Sequence, residues 1–235
     1  GLAHGKTEAW FVVDAPEGAE VGVGFREQMP LAQVASWVES GDSDALLGAL
    51  QTRVVRPGDA MLVPAGLPHT VAAGVFVLEL QEPTDLSILL EWQGFAVDGS
   101  KDGHLDLGFD IALQAVDLSA VSVSDLDHLV VTREQIAGAG LNSVLPAAAD
   151  GYFRAHRFDT SQGAVEVPAG FALVLMLTGH GVLASAAGSI EVTRGDAVLV
   201  PYATGGFTLH SSGDREAAAG VVCRPPAADA PLGVR

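Results

Sequence analysis

A glutamate and a histidine early in the sequence, Glu8 and His69, are of two types that commonly hold zinc, a carboxylate oxygen and an imidazole nitrogen. Glu8 stands in Gly5-Lys6-Thr7-Glu8-Ala9-Trp10, at the entry to an apolar run. His69 closes Pro64-Ala65-Gly66-Leu67-Pro68-His69. Taken alone, each has a plain structural reading: Glu8 as a solvated strand end, Lys6 as a surface charge, His69 as a hydrogen-bonded strand residue. Spacing along the chain does not make Glu8 and His69 neighbours, and two ligands are too few for a tight site.

The remaining histidines carry less. His156 lies between Arg154 and Arg157 on an expected strand and reads as a surface or hydrogen-bonded residue. His4 sits in a glycine-flanked terminus, and His104, His128, His180 and His210 lack ligand-like spacing. No GxxxxGK[ST] or Rossmann pattern follows a strand, so phosphate loops are not indicated. No GxSxG supports a serine hydrolase, and Cys223, the only cysteine, has no base assigned to it.

The elements that must position these residues announce themselves through a repeat. Gly58-Asp59-Ala60-Met61-Leu62-Val63-Pro64 matches Gly195-Asp196-Ala197-Val198-Leu199-Val200-Pro201. In each copy Gly-Asp predicts a tight turn, a short apolar strand follows, and proline closes it. The repeat is asymmetric where it could matter: the position matching His69, five residues after the proline, is Gly206 in the second copy. Strands are expected at 9–13, 75–80 and 86–92 around the first copy, and at 152–158, 171–177, 188–192 and 220–223 around the second. Many short strands between Gly/Pro turns indicate sandwiches or barrels.

Helices interrupt this pattern. Leu31, Val34, Ala35 and Val38 recur at helical spacing, and Asp42 or Ser43 can cap a second short helix carrying Leu46, Leu47 and Leu50. Between the copies, Ser124-Asp125-Leu126-Asp127 and Thr132-Arg133-Glu134-Gln135 read as capping boxes. These signals divide the chain into a first module over 1–104 with a helical insertion at about 30–50, a connecting segment over 105–150, and a second module over 151–235.

Composition narrows the function classes. The net charge is −17, and only Lys6 and Lys101 are lysines, so the positive stripe that nucleic acid requires is missing. The acidity works against long-range capture of an anionic substrate. No apolar run reaches the roughly 18 residues of a membrane span, and no signal peptide is visible. A single cysteine excludes an intrachain disulfide and suits a reducing cytoplasm. With 49% hydrophobic residues, the chain can build a sizeable core. It begins at Gly1 rather than methionine, which suggests a processed or truncated product.

Taken in order, Gly5-Lys6-Thr7-Glu8-Ala9-Trp10, Pro57-Gly58-Asp59, Val63-Pro64-Ala65-Gly66-Leu67-Pro68-His69 and Leu78-Glu79-Leu80-Gln81-Glu82-Pro83-Thr84-Asp85 resemble a class I phosphomannose isomerase. The match is closest over residues 5–95, and the remainder is similar only loosely to that family's second module. The resemblance implies a mainly β fold of two cupin-like (jelly-roll) modules with short helical insertions. It implies one zinc ion, with other divalent metals as alternatives, held in part by Glu8 and His69. The family's glutamine–histidine strand would precede residue 1. Lys6 matches an active-site lysine and Glu79 a strand glutamate proposed there as an acid/base. The implied activity is zinc-dependent aldose–ketose isomerisation of a small sugar or sugar phosphate.

One position departs from the pattern. Where the family usually carries an arginine, ten residues beyond the glutamate, this chain has Leu89. Leucine can neither clamp a phosphate nor stabilise an oxyanion, so a neutral sugar becomes a credible substrate. If the strand runs on unbroken, Gln81, Ser87, Leu89 and Glu91 share a face with Glu79. The alternatives are a non-catalytic sugar-binding or regulatory cupin and, third, a different metal-dependent cupin enzyme such as an oxygenase.

Overall fold

The structure, a computed structural model, describes residues 5–213 and 216–227; His4 lies outside the described residues. The chain divides into two compact units. One comprises Gly1–Pro57 and Leu62–Leu129, the other Gly58–Met61 and Val130–Arg235. The fold is mainly β, with antiparallel ladders and short helices, in the manner of a cupin. Among the described residues no helix is long and apolar enough to cross a membrane.

The first unit opens with β1 (Glu8–Asp14) and β2 (Glu20–Phe25), followed by α1 (Leu31–Ser40) and α2 (Ser43–Gly48). Strands β3 (Leu50–Val54), β4 (Ala60–Val63, whose first two residues belong to the second unit), β5 (His69–Val71) and β6 (Phe76–Gln81) come next. Residues Glu8 to Val12 of β1 are all buried, as the unbroken apolar run requires of a strand covered on both faces. β1 pairs with β6, and β2 lies between β3 and β5. Two ladder registers place the candidate residues: Glu8 stands opposite Gln81 and Trp10 opposite Glu79, while Val23 stands opposite His69. The amide of Gly24 donates to Pro68 O at 2.7 Å, which anchors the residue just before His69.

The helical insertion forms where the spacing predicts, except that α2 ends at Gly48 and Leu50, expected on that helix, opens β3. Val34 and Val38 of α1 and Leu46 of α2 join Phe25, Leu50 and Leu113 in one apolar cluster. Each such side chain, fully buried, contributes roughly 1.5–3 kcal/mol. Leu31 and Leu47, on the outer faces, stay exposed. The Asp42 carboxylate accepts from the Ala45 amide at 3.0 Å and caps α2.

Two further sequence expectations fail in this unit. Residues 86–92 form no strand, because β6 ends at Gln81 and Pro83 cannot donate to a ladder. The segment instead folds back, with Leu90 and Trp92 packed on the helical cluster and Leu89 N–H bonded to Gly103 O at 2.9 Å. It leads to α3 (Gly99–Asp102) and α4 (Phe109–Ala112). The second failure is the capping box expected at Ser124. α5 (Val123–Leu129) starts earlier, so the reciprocal bonds run between Ser122 and Asp125. The box at Thr132 forms as expected, at the start of α6 (Arg133–Ile136) in the second unit.

The second unit also contains β7 (Val130–Val131), β8 (Gly140–Ser143), β9 (Arg154–Asp159) and β10 (Val165–Val167). It continues with β11 (Ala172–Thr178), β12 (His180–Ser185), β13 (Gly188–Thr193), β14 (Ala197–Val200), β15 (Phe207–Ser211) and β16 (Ala219–Arg224). Its sheets run β14-β11-β16-β9-β8 and β10-β15-β12-β13, with every adjacent pair antiparallel. Inward residues from both sheets, among them Phe158, Val174, Met176, Leu183, Val192 and Leu209, make one core. Two sheets closed on one core in this way form a jelly-roll.

Both copies of the repeat are turn–strand units. Gly58 and Gly195 hold φ of 95° and 94°, a region that other residues rarely adopt, and β4 and β14 follow directly. The aspartates then differ. Asp59 accepts from the Arg133 amide at 2.9 Å, whereas Asp196 accepts from the nearby Thr193 amide at 2.7 Å. Ala60 and Met61 pair with Val131 and Val130 of β7 within the second unit.

Candidate active site

Lys6, Glu8, His69 and Glu79 converge at one end of the first unit's strands. Glu8 Oε1 lies 2.9 Å from His69 Nε2, and Glu8 Oε2 lies 2.6 Å from Lys6 Nζ. The same ammonium reaches Glu79 Oε1 at 3.5 Å and Gln81 Oε1 at 3.4 Å. Glu8 is only 2% exposed, whereas the Glu79 side chain is 38% exposed, so the cluster grades from a buried floor to an open rim.

Backbone order explains the convergence. Glu8 and Gln81 are cross-strand partners, and Glu79 lies two residues along β6 on the same side as Gln81. The segment before β1 is latched to the end of β6. Thr7 N–H donates to Glu82 Oε2 at 2.9 Å, Glu82 N–H donates to Thr7 O at 2.9 Å, and Thr84 Oγ1 donates to Gly5 O at 3.2 Å. His69 is held separately, with Nδ1 2.8 Å from Leu67 O and its ring edge-on to Trp10 at 5.4 Å.

The charges are tuned by these contacts. Burial pushes the Glu8 carboxyl upward, but hydrogen bonds with His69, Lys6 and Glu79 outweigh it and hold Glu8 well below the usual carboxylate range. Glu79 moves the other way: burial and the adjoining Glu8 raise it, and Lys6 only partly opposes them. For His69, burial disfavours the charged ring, yet the Glu8 carboxylate wins and its pKa rises. Lys6 likewise loses hydration by burial and is still raised, chiefly through Glu8. Two neighbouring carboxyls pushed apart in this way can divide the work, one staying ionised while the other exchanges a proton.

Whether Glu8 and His69 suit a metal can be judged from their contacts. With Nδ1 bonded to a carbonyl, His69 presents Nε2 toward Glu8, the orientation in which ligating histidines are usually held. The 2.9 Å gap lies within the span of two donors each roughly 2.0–2.2 Å from one ion. Glu8 Oε2 is buried and meets the Lys6 ammonium as an ion pair at 2.6 Å. These two groups therefore fit as part of a donor set. Among the described residues, no cluster of three or more His, Cys, Asp or Glu side chains is arranged for a metal.

Several contributors escaped the sequence reading. The latch of Thr7, Glu82 and Thr84 has no motif of its own, although the Glu82-Pro83 break hints at a terminated strand. Leu89 does not continue the β6 face, because the strand on which that expectation rested ends at Gln81. His156 falls in the second unit, on β9.

A cupin-like β fold with a carboxylate–imidazole–ammonium cluster defines the class. Within that class, the chain is similar to phosphomannose isomerases. It is 26% identical to the mannose-6-phosphate isomerase ManA of Bacillus subtilis over 208 residues, covering 87% of this chain and 61% of that one. Its fold matches an Archaeoglobus fulgidus protein provisionally described as a mannosephosphate isomerase. The TM-score is 0.70 at 18% identity, over 96% of this chain and 63% of that one. A mannose 6-phosphate isomerase bound with zinc and yttrium matches with a TM-score of 0.62 at 14% identity, over 94% of this chain and 67% of that one. No protein-family profile matches the chain. The chain thus spans about three-fifths of the length of the curated relatives it matches, 61% in the case of ManA.

Proposed function

We propose that the chain carries the catalytic residues of an aldose–ketose isomerase acting on a small sugar or sugar phosphate in the cytoplasm, with zinc as its metal. The observation that carries this reading is the convergence of Lys6, Glu8, His69 and Glu79 with the two carboxyls driven apart in pKa. The 26% identity to a mannose-6-phosphate isomerase supports the reaction class.

Isomerisation moves a proton between C1 and C2 of the open-chain sugar through an enediol. Glu79, at the open rim, takes the proton from one carbon on its carboxylate and returns it to the other. Its raised pKa brings it closer to the working range for proton exchange. The Lys6 ammonium, in reach of Glu79 and Gln81, stabilises negative charge developing on the substrate oxygens. Glu8 and His69 would hold the zinc, a Lewis acid and template for the sugar hydroxyls. Glu8 stays ionised throughout and keeps Lys6 charged and oriented.

A second reading, a sugar-binding cupin without catalysis, is favoured by one observation. Leu89 places no cation where the resemblance implies an arginine. Isomerase assays on the zinc-loaded protein, paired with sugar-binding measurements, separate the two. Turnover abolished by Glu79→Gln supports the isomerase, and binding with no turnover of any sugar supports the alternative.

A further inference from the structure

The second unit holds a basic cluster that the first unit's chemistry does not use. Arg154 on β9 and Arg224 on β16 are direct cross-strand partners, and His156 stands two residues along β9, opposite Val222. Alternation therefore puts all three side chains on one face of the sheet, the face that carries Phe158 and Val222 into the core. Like charges set directly opposite in a ladder are destabilising. A chain with 29 acidic and 12 basic residues has every opportunity to place a carboxylate there.

It does not do so among the described residues. Arg224 is 8% exposed, and its guanidinium donates only to the backbone carbonyls of Pro168 and Ala169. Gly170, at φ 150°, makes room for it, since a Cβ at that position would come within 3.1 Å of Nη1. Arg154 spends its Nε on Pro225 O at 3.1 Å. His156 Nδ1 is buried with no hydrogen-bond partner. Burial and the two arginines together depress the His156 pKa, and Asp150 only partly opposes them. Among the described residues, the cluster thus combines an unsatisfied ring nitrogen with two guanidinium groups that no carboxylate pairs.

We propose that Arg154, His156 and Arg224 form an oxyanion-binding site in the second unit, which takes the phosphate group of a small ligand. A phosphate supplies the missing counter-charge between the opposed guanidinium groups, whose planar forks match its oxygens. It also offers oxygens to the His156 ring once that ring carries a proton on Nδ1. Free phosphate and a phosphomonoester share this chemistry. The half-buried Arg154 and His156 leave the site open on one side, so an ester tail can project outward.

The test is a titration of the full chain with sodium phosphate against sodium chloride at equal ionic strength, read by thermal midpoint and by the ring resonances of His156. A saturable rise in midpoint with phosphate and a shift of the His156 signals are expected. Arg154→Gln, a half-buried position that should leave the fold intact, should weaken phosphate at least tenfold. Arg224→Lys, in case it folds, should do the same. Phenyl phosphate binding as well as phosphate assigns the site to phosphomonoesters; phosphate alone binding assigns it to the free ion. Equal effects of phosphate and chloride would overturn the proposal. So would a phosphate response that survives Arg154→Gln but disappears in Lys6→Met, which would assign the anion to the first unit.

Discussion

Glu8 and His69 meet at 2.9 Å, although one opens β1 and the other opens β5. The contact is built from two directions. The β1–β6 ladder fixes Glu8, and the β2–β5 ladder with Leu67 O fixes the imidazole. Removing the carboxylate should therefore affect both metal binding and stability. Glu8→Gln leaves the Lys6 ammonium and the His69 ring beside a neutral amide in a buried position. A destabilisation of about 3 kcal/mol is expected, the size seen when one partner of a buried ion pair is lost. Zinc affinity should drop alongside it. Urea unfolding of the metal-free protein and competition with a zinc chelator measure the two effects separately; unchanged zinc affinity would remove Glu8 from the donor set.

The latch between the segment before β1 and the end of β6 predicts a local effect. Glu82→Ala removes the acceptor for the Thr7 amide, and Thr7 is 4% exposed. An unsatisfied buried amide costs about 1–3 kcal/mol. Hydrogen exchange at the Thr7 amide should speed up far more than exchange in the second unit's β11. A uniform change across both units would show that Glu82 acts on global stability rather than on this segment.

How far these relationships could be read from sequence depended on how local their causes are. The repeat was legible because Gly58-Asp59 and Gly195-Asp196 impose a backbone conformation by themselves. The helical insertion was legible because Val34 and Val38 share a face at any helix position. The approach of Glu8 to His69 was not, since it depends on ladder registers that no local pattern specifies. Residues 86–92 misled because an apolar run such as Leu86-Ser87-Ile88-Leu89-Leu90 fits a strand as well as an irregular segment packed on helices. Pro83 was the only local sign that the ladder stops.

Cys223 offers a check on the local stability of β16. Burial pushes its thiol up to about 12. At pH 8 it should therefore resist iodoacetamide in the folded protein and react readily once urea unfolds the chain. Labelling followed by intact mass measurement gives the result. Fast labelling of the folded protein would mean that β16 opens without global unfolding.

His156 predicts a pH dependence. Its folded pKa lies below the ordinary 6.5, through burial and then Arg154 and Arg224, with Asp150 opposing. The unfolded chain therefore binds the proton more tightly. The stability from keeping His156 neutral is fully present above pH 6.5 and is lost as pH falls through the folded value. Denaturation midpoints measured from pH 7.5 to 5 should decline, and His156→Asn should flatten part of that decline. An identical slope in the variant would assign the loss to other groups.

Leu89 bears on the choice of substrate. It stands where the resemblance implies an arginine, its amide is bonded to Gly103 O, and the residue is 36% exposed. It offers no guanidinium, and the chain as a whole repels anions with its net charge of −17. Phosphate recognition draws much of its strength from a bidentate guanidinium, so a missing fork should cost a phosphorylated sugar more than a neutral one. Weak or absent turnover of mannose 6-phosphate is expected, with relatively better use or binding of mannose or fructose. Leu89→Arg should then shift the preference toward the phosphorylated sugar by lowering its KM. The measurement is kcat/KM of the zinc-loaded protein and of Leu89→Arg on mannose 6-phosphate, mannose and fructose. Efficient, phosphate-selective turnover by the unmodified chain would show that another cation, such as Arg26 on the loop after β2, already does the work assigned to the missing arginine.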